Sequence, residues 1–381
     1  MHEAPVVVFS GGGTGGHLYP ALAVAEALRE IRPDARILFM GSERGIEGRI
    51  LAERGEWHEL LPIRGIDRAN PLRSLRDAFG AVRSIARSLR LFSELRPEAV
   101  VVTGGYAGAP AGIAAALMGI PLVLQEQNAV PGLVTKLLSR WATDVHVAFP
   151  EAVERLPARR ERAWLSGNPV RPVARIERGR ARARLGLPED GAVVLVVGGS
   201  QGALQLNRVL LEAVRDVVEA GGPRPGDLHL LWATGPNHHE TVCEALDTHG
   251  DAAGWVHAVP YIEEMPVALA ASDLAVARAG ATFTAELLVQ ALPAVLVPLP
   301  TAAEDHQLRN GEALAAAGAA VVLPQATLTA SRLWSTVTTL LDDPARLEAM
   351  KAAARGLARP HAAVEIGASV AALLPRTSEA A

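Results

Sequence analysis

Cysteine is nearly absent from this 381-residue chain, in which Cys243 is the only one. A lone thiol cannot close a disulfide within the chain, so a disulfide-stapled scaffold is excluded and a reducing cytoplasm is the expected compartment. The N-terminus lacks a basic-then-apolar leader, and we expect no secretion signal. Basic residues do not dominate either, because 37 Lys and Arg stand against 41 Asp and Glu. The net charge of −4 argues against a general nucleic-acid binder, and no nucleic-acid partner is expected.

Motifs that hold metals or triphosphates are missing as well. No Asp-x-Asp pair is present to carry a divalent ion on a diphosphate, and His238-His239-Glu240 lacks the spacing of a zinc protease site. Neither glycine-rich loop of the chain, at residues 11–16 and 198–203, is followed by lysine in the order that a P-loop requires. These absences disfavour a nucleoside triphosphatase and predict an enzyme with no metal site and no cofactor.

Residues 99–125 carry no charged side chain and are numerous enough to cross a bilayer as one helix. Glycines and prolines divide this stretch, and Pro at a helix start with Gly near its end is the usual arrangement. We therefore predict a strand at Ala99–Thr103, a loop at 104–109, a helix beginning near Pro110 and a strand at Pro121–Gln125, rather than a spanning helix.

The chain repeats one pattern of strand, glycine loop and helix in each half. In the first half the predicted strands are Val6–Phe9, Arg36–Met40, Ala99–Thr103, Leu122–Gln125 and Asp144–Ala148. In the second half they are Ala192–Val197, Leu228–Ala233, Trp255–Pro260, Leu274–Ala277, Ala294–Pro298 and Ala320–Leu323, with helices at Leu204–Val218, Gly280–Gln290 and Asp305–Ala317. The predicted fold class is α/β, with two doubly wound parallel-sheet domains. The predicted boundaries are 1–168 and 169–354, with a helix at about 355–375 that packs back on the first domain.

The first glycine loop, Ser10–Gly16, joins a buried strand to a helix that begins near His17. Glycines let a ligand approach the backbone, and a helix N-terminus favours a diphosphate or another developing negative charge. An imidazole beside the positive end of a helix is expected to stay neutral near pH 7, which makes His17 a candidate proton acceptor. A histidine that only caps or packs the loop is the alternative.

Amide and aromatic candidates follow two other strand ends, where ligands bind in doubly wound folds. Gln125–Asn128 supplies amides that suit sugar hydroxyls, with Glu126 as a second possible base. Asn128 itself is either a ligand or a turn residue. Tyr106 either stacks on a sugar or is simply partly buried.

The segment Gly280–Glu286 also follows a predicted strand and opens a helix. Backbone amides there suit phosphate oxygens, and the Glu286 carboxylate suits a ribose diol. The alternative for Glu286 is a solvated helix face. A different feature is the basic stretch Arg64–Arg96, which predicts either a crossover helix with a basic outer face or a surface that rests on anionic lipid headgroups.

Taken together, these motifs resemble the MurG family, the N-acetylglucosaminyltransferases that convert lipid I to lipid II. The matching motifs run in the family's order and cover nearly the whole chain: Gly12–His17, Gly104–Tyr106, Glu126–Asn128, Gly167–Arg171, Gly198–Ala203, Arg278–Ala281 with Glu286, and Asp305–Gln307. The resemblance implies a GT-B fold, with two Rossmann-like domains facing across a cleft, a first domain for the acceptor and a second for UDP-GlcNAc. It also implies a peripheral enzyme on the cytoplasmic face of the inner membrane, with an anionic membrane surface and other cell-wall synthesis proteins as partners.

The resemblance also implies which residues touch the substrates UDP-GlcNAc and lipid I, the undecaprenyl-linked muramoyl-pentapeptide. They are Thr14, Gly15, Gly16, Tyr106, Asn128, Arg171, Ser200, Gln201, Ile262, Ala281, Thr282, Phe283, Thr284, Ala285, Glu286 and Gln307. Phe283 is a departure, since relatives carry Thr there, and a neighbouring hydroxyl, Thr282 or Thr284, would have to replace it. No metal is implied.

The expected reaction is a direct displacement with inversion at the anomeric carbon, giving a β-1,4 linkage. His17 is the first candidate to take the proton from the acceptor's 4-hydroxyl, and Glu126 is the second. Another UDP-sugar-dependent transferase of the same fold, or an epimerase or nucleotide-sugar binder, remains open. A nicotinamide-dependent oxidoreductase is disfavoured, because the second strand ends in Met40-Gly41-Ser42 without the acid that binds a ribose.

Overall fold

The computed structural model describes residues 4–65, 71–157, 160–170, 176–199, 201–220 and 226–376, with side chains for all of these except 71–76, 78, 220 and 303. The backbone divides into two compact units. Unit 1 comprises Met1–Arg171 together with Arg359–Ala381, and unit 2 comprises Pro172–Ala358.

Unit 1 is built on a parallel sheet in which the described residues form seven strands. They are β1 Val6–Ser10, β2 Arg36–Ser42, β3 His58–Leu61, β4 Ala99–Val102, β5 Leu122–Glu126, β6 Asp144–Val147 and β7 Ala163–Trp164, in the order β3-β2-β1-β4-β5-β6-β7. The helices between them are α1 Gly15–Ile31, α2 Glu47–Glu53, α3 Pro71–Leu95, α4 Gly105–Met118, α5 Leu133–Leu138 and α6 Pro150–Glu154. Because β1 pairs with both β2 and β4, the loop after β1 lies where the strand order reverses, the usual ligand position in such sheets.

The central strands are apolar along their whole length because helices cover both faces of the sheet. Val7, Val8 and Phe9 of β1 are at most 1% exposed. Val8 belongs to the core beneath α4, whereas Val7 and Phe9 belong to the core beneath α1. Burial of each such side chain contributes roughly 1.5–3 kcal/mol. The strand therefore stays fixed, and the loop that follows it begins from a rigid position.

Unit 2 repeats this plan with six parallel strands among its described residues. They are β8 Ala192–Val197, β9 Leu228–Ala233, β10 Val256–Val259, β11 Leu274–Ala277, β12 Ala294–Leu296 and β13 Ala320–Val322, in the order β10-β9-β8-β11-β12-β13. The helices are α7 Arg178–Arg184, α8 Leu204–Ala220, α9 His239–Asp247, α10 Met265–Ala271, α11 Ala281–Val289, α12 His306–Ala316, α13 Ala330–Leu341 and α14 Pro344–Leu357. Short 3₁₀ helices lie at Arg160–Arg162 in unit 1 and at Gly250–Ala253, Ala303–Asp305 and Gln325–Thr327 in unit 2.

After α14 the chain returns to unit 1, where α15, Ala362–Ala372, packs along α1. Ile366 and Val370 are fully buried in the core beneath α1. A Cβ at Gly367 would lie 3.3 Å from the Leu28 nitrogen, so the glycine lets the two helix backbones approach closely. The C-terminal helix thus completes the core of unit 1.

The predicted α/β class, with a doubly wound parallel sheet in each half, is confirmed, and every predicted strand is present with each end within two residues of its predicted position. Two strands were not predicted, β3 and the two-residue β7. The predicted start of α4 near Pro110 is wrong, because the helix begins at Gly105 and Pro110 lies inside it at the cost of one backbone hydrogen bond. Among the described residues, no helix is long and apolar enough to cross a membrane.

Candidate active site

His17 lies in the first turn of α1 and faces the first turn of α4. The loop Gly11–Gly13 packs on Gly104 and Gly105, and a Cβ at Gly105 would come within 2.8 Å of the His17 Cδ2 atom and 2.4 Å of the Gly12 oxygen. Gly105 also has a φ of +69°, which favours glycine. The imidazole therefore occupies space that exists because these positions lack side chains.

The two hydrogen-bond partners of the His17 ring fix its tautomer. Nδ1 lies 3.0 Å from the Thr103 carbonyl oxygen and 3.0 Å from the Gln127 Oε1 atom. Both partners are acceptors, so Nδ1 carries the hydrogen and donates it. In the neutral ring, Nε2 is consequently the atom with the free lone pair, and it is the atom that can accept a proton.

Behind His17 lies a row of buried amides. Gln127, 2% exposed, donates to the Thr103 carbonyl at 2.6 Å and also to the Oε1 atom of Gln125. Gln125 in turn donates to the Asn168 Oδ1 atom at 3.2 Å, and Asn168 donates back to the Gln127 carbonyl at 3.4 Å. These buried side chains satisfy one another's hydrogen-bonding groups, and an unpaired amide at this depth would be costly.

Glu126, the second candidate base, is 2% exposed and accepts four hydrogen bonds. One oxygen accepts from the Asn128 backbone at 3.0 Å and from its side chain at 3.2 Å. The other accepts from the Gly132 backbone at 3.0 Å and the Thr135 hydroxyl at 2.6 Å. The carboxylate therefore ties the end of β5 to the start of α5, and its lone pairs are committed to these donors.

Glu47 is a residue of this site that the sequence analysis missed. Its side chain is fully buried, and its Oε1 atom accepts a hydrogen bond from the Gly13 backbone at 2.5 Å. A Cβ at Gly12 would overlap the same carboxylate, at 1.6 Å from Oε1. Glu47 thus holds the first glycine loop from below. The sequence shows only an acid in the first turn of a short helix, and nothing in it places that acid under the loop.

The other predicted residues of unit 1 that the structure describes follow β1, β4 and β5. Tyr106 is half-buried, and its ring borders Gly13 and Gly65, so it forms part of the wall of the site. Thr14 and Gly16 are exposed and Gly15 is half-buried at the start of α1. Asn128 is half-buried beside Glu126. Arg171 lies outside the described residues.

In unit 2, the second glycine loop packs against another loop rather than around a side chain. A Cβ at Gly202, whose φ is +76°, would lie 2.2 Å from the Thr234 oxygen. A Cβ at Gly235 would lie 2.5 Å from the Gln201 oxygen. The side chain of Gln201 is exposed, and Ser200 lies outside the described residues.

The N-terminus of α11 presents backbone amides and two hydroxyls with different surroundings. Thr284 is 1% exposed and donates to the Ala281 carbonyl at 2.9 Å. The Thr282 hydroxyl oxygen is buried and has no hydrogen-bond partner among the described residues. Ala281, Phe283, Ala285 and Glu286 are half-buried, with Glu286 one helical turn further in. Of the two hydroxyls near Phe283, only that of Thr282 is uncommitted.

Neighbouring groups in unit 2 hold strand ends together. Arg278, 9% exposed, donates to the Val297 carbonyl at 3.0 Å and the Gln325 side chain at 2.6 Å, and burial lowers the pKa of its guanidinium. Gln307, half-buried in α12, accepts from the Leu299 backbone at 2.9 Å. Ile262 is buried just beyond β10. Within the described ranges, no three His, Cys, Asp or Glu side chains come close enough to hold a metal ion.

Unit 1 also carries an apolar surface on three helices that pack side by side, α3, α4 and α5. Phe79 and Val82 on α3 are 72% and 65% exposed. The other exposed apolar residues of this surface, which we call the apolar face, are Leu117, Met118, Leu133, Leu137 and Trp141. Three basic residues, Arg83, Lys136 and Arg140, are close in sequence to members of the apolar face. The side chains of Arg68, Arg73, Arg76, Leu72 and Leu75, also predicted to lie in this region, fall outside the described residues.

Comparison with known proteins identifies relatives along the whole chain. Residues 7–147 match the glycosyltransferase family 28 N-terminal domain, and residues 193–366 match the family 28 C-terminal domain. A UDP-N-acetylglucosamine--N-acetylmuramyl-(pentapeptide) pyrophosphoryl-undecaprenol N-acetylglucosamine transferase from Salinibacter ruber is 42% identical over 98% of both chains. The crystal structure of Acinetobacter baumannii MurG superposes with a TM-score of 0.77 at 30% identity, covering 97% of this chain and 99% of that one. A UDP-GlcNAc 2-epimerase from Neisseria meningitidis shares the fold alone, with a TM-score of 0.64 at 15% identity over 96% of this chain and 99% of that one.

Proposed function

This chain belongs to the MurG family of N-acetylglucosaminyltransferases, and from that premise we propose how its two units divide the reaction. The enzyme transfers GlcNAc from UDP-GlcNAc to the muramoyl-pentapeptide of lipid I, forming lipid II in peptidoglycan synthesis. The observation that carries this conclusion is similarity to transferases of that name over almost the full length of the chain.

Unit 2 binds the donor. The α11 amides at Ala281 and Thr282 hold the diphosphate, because a helix N-terminus offers unpaired N–H groups and a positive dipole end. The buried Thr282 hydroxyl lies in the same turn and supplies a further donor, which compensates for Phe283. Glu286 accepts from the ribose hydroxyls. Residues Arg171, Ser200, Gln201, Ile262, Thr284, Ala285 and Gln307 complete the donor site, with Ile262 meeting the uracil through its backbone.

Unit 1 handles the acceptor and its proton. Thr14, Gly15, Gly16 and Asn128 contact the donor sugar, while the lipid I diphosphate and Tyr106 lie at the glycine loops. His17 Nε2, the atom left without hydrogen by the Nδ1 contacts, accepts the proton of the acceptor's 4-hydroxyl. Glu126 positions Asn128 instead of accepting a proton, because its oxygens are committed to four donors.

The proposed displacement requires no metal ion. The acceptor 4-oxygen forms its bond to the anomeric carbon as the bond from that carbon to the UDP oxygen breaks, with inversion to a β-1,4 linkage. The proton of the 4-hydroxyl is transferred to His17 Nε2. The negative charge of the departing UDP is stabilised by backbone amides and helix dipoles.

The apolar face of unit 1 is the surface that meets the membrane. Exposed aromatic and aliphatic side chains, with Arg83, Lys136 and Arg140 close to them in sequence, suit an interface rich in anionic lipid, to which each nearby cation adds on the order of 1 kcal/mol. This contact would hold the enzyme peripherally at the cytoplasmic face, where lipid I and other cell-wall synthesis proteins are found. Co-sedimentation with vesicles containing anionic lipid tests it, and binding unchanged in Phe79→Ser/Trp141→Ser would contradict it.

A transfer assay tests the function. Radiolabelled UDP-GlcNAc and a lipid I analogue are expected to give labelled lipid II and one UDP per transfer, with activity retained in chelator. UDP release without lipid acceptor would indicate a hydrolase or an epimerase-like enzyme, and a fluorescence change on adding NADH would indicate an oxidoreductase. Activity that chelator abolishes and a divalent cation restores would contradict the metal-independent mechanism.

A further inference from the structure

We propose that Gln127 is a positioning residue for His17, a role that rests on His17 being the proton acceptor. Gln127 is only 2% exposed, and its Oε1 atom lies 3.0 Å from His17 Nδ1. It orients the imidazole so that Nε2, on the other side of the ring, keeps its lone pair towards the acceptor hydroxyl.

The orientation of the Gln127 amide follows from its neighbours. Its nitrogen has three oxygens around it: the Thr103 carbonyl at 2.6 Å, the Gln125 carbonyl at 3.3 Å and the Gln125 Oε1 atom. All three accept hydrogen bonds, so the NH₂ group must point at them. The oxygen of the amide is thereby directed at His17 and cannot exchange places with the nitrogen without losing every one of these bonds.

Hydrogen bonding, and not packing, decides how the His17 ring is turned. The wall beside the ring is formed by Gly104 and Gly105, which have no side chains to restrain it. The Thr103 carbonyl gives Nδ1 one acceptor, but that oxygen also receives a hydrogen bond from Gln127. Gln127 Oε1 is the second acceptor. Rotating the ring by half a turn would put a carbon in place of Nδ1, and both hydrogen bonds would then be lost.

Gln127 is itself anchored at a distance from the reaction. Gln125, fully buried, links it to Asn168, which is 4% exposed and donates back to the Gln127 carbonyl. Gln127 is therefore preorganised before substrate binds, as partners behind a reactive group usually are. Gln125 offers a matched control. It is as deeply buried as Gln127 and forms side-chain hydrogen bonds with Gln127 and Asn168, but its hydrogen-bond partners among the described residues do not include His17.

Steady-state kinetics on a double-mutant cycle provide the first test. Gln127→Met keeps the side-chain length and removes the amide, and we expect kcat to fall about 10- to 100-fold with the UDP-GlcNAc KM within about twofold of wild type. In a His17→Ala background the same change should lower kcat by less than about twofold, because its effect passes through the imidazole. Gln125→Met, with a similar loss of thermal stability, should reduce kcat less than Gln127→Met does.

Equal fold losses in both backgrounds, or an unimpaired Gln127→Met beside a slow His17→Ala, would overturn the positioning role alone. Normal turnover in His17→Ala would overturn the proton-acceptor assignment itself, so the two failures are distinguishable. Nitrogen-15 NMR gives a readout that needs no activity. Wild-type His17 should show the Nδ1–H tautomer, and Gln127→Met should show a mixture of both tautomers. A wild-type Nε2–H tautomer, or a variant spectrum identical to wild type, would contradict the proposal.

Discussion

Both units contain the same pattern, a buried strand followed by a glycine loop and a helix, yet the atoms that pack against their glycines differ. In unit 1 the glycines admit side chains as well as backbone: Gly12 faces Glu47, and Gly105 faces both the Gly12 carbonyl oxygen and His17. In unit 2 they admit backbone, because Gly202 packs on the Thr234 carbonyl. A glycine loop therefore predicts that other atoms approach the backbone closely but does not predict which atoms they are. In our proposal the proton acceptor, His17, belongs to unit 1.

The helix N-termini differ in the same sense. The first turn of α1 carries an imidazole whose Nδ1 hydrogen is bound to Thr103 and Gln127. The first turn of α11 carries no titratable group before Glu286, and it offers amides and the buried Thr282 hydroxyl. We infer that unit 1 performs the proton transfer and unit 2 stabilises the charge of the departing nucleotide.

The largest effect should come from removing the imidazole. His17→Ala is expected to lower kcat roughly 10²- to 10⁴-fold, because general-base assistance is lost. The UDP-GlcNAc KM should change little, since we propose that most of the donor contacts lie in unit 2. Transfer kinetics with the lipid I analogue measure both parameters. A near-normal kcat in His17→Ala would contradict the assignment of proton transfer to unit 1.

Glu286→Ala should give the reverse kinetic pattern. Loss of hydrogen bonds to a charged group, worth about 1.5–3 kcal/mol, predicts a donor KM raised about 10- to 150-fold. The kcat at saturating donor should stay close to wild type. Glu286→Gln, which keeps one acceptor oxygen, is the matched control and should lie between the two. A flat KM across this series would mean that the ribose lies elsewhere.

Two glycines of unit 2 separate the cost of a positive φ from the cost of a clash between a new Cβ and the backbone. Gly202→Ala should lower the free energy of unfolding by about 2–5 kcal/mol, because it combines a positive φ with a Cβ driven into the Thr234 carbonyl. Gly199→Ala, where φ is +98° and the described part of the chain places no non-neighbouring atom within 4 Å of the new Cβ, should cost only about 1–2 kcal/mol. Denaturant unfolding measures both, and equal losses would show that backbone contact adds nothing.

The smallest effect concerns His146, a buried histidine of unit 1. Burial lowers the pKa of His146 to about 4, against the opposing effect of Asp144. The unfolded chain then binds more protons between pH 6.5 and pH 4, so this contribution to stability is complete above pH 6.5 and is lost as pH falls. Its share of the loss from pH 7 to pH 5 is about 2 kcal/mol. His146→Asn should flatten the fall in Tm over that range, and an unchanged slope would contradict the buried neutral ring.

Much of the fold was predictable because buried parallel strands consist of short runs of apolar residues. Val6–Phe9 and Ala192–Val197 need no knowledge of their partners to be recognised. β3 was missed because it is an edge strand with His58 and Glu59 in it, and β7 because two residues carry no periodicity. The start of α4 was misplaced because proline was read as a first-turn residue, although a helix tolerates it further in where the local packing allows.

Only those residues of the site that lie within one short sequence motif could be predicted. His17 and Glu286 were singled out from their positions after glycine loops, and their roles stay predictions. What spacing cannot supply is long-range partnership. Glu47 lies 34 residues from the Gly13 amide it binds, and Gln127 lies 110 residues from His17. For Glu126, the sequence offered a possible base, whereas its partners show a carboxylate with its oxygens in use.

The division of labour between the units is tested most directly by a crystal structure with UDP bound. The account predicts the diphosphate at the first turn of α11, with the ribose hydroxyls on Glu286 and no contact between the nucleotide and His17. A diphosphate seated instead on the loop Gly11–Gly16 would contradict it, because the nucleotide would then occupy the unit to which proton transfer is assigned.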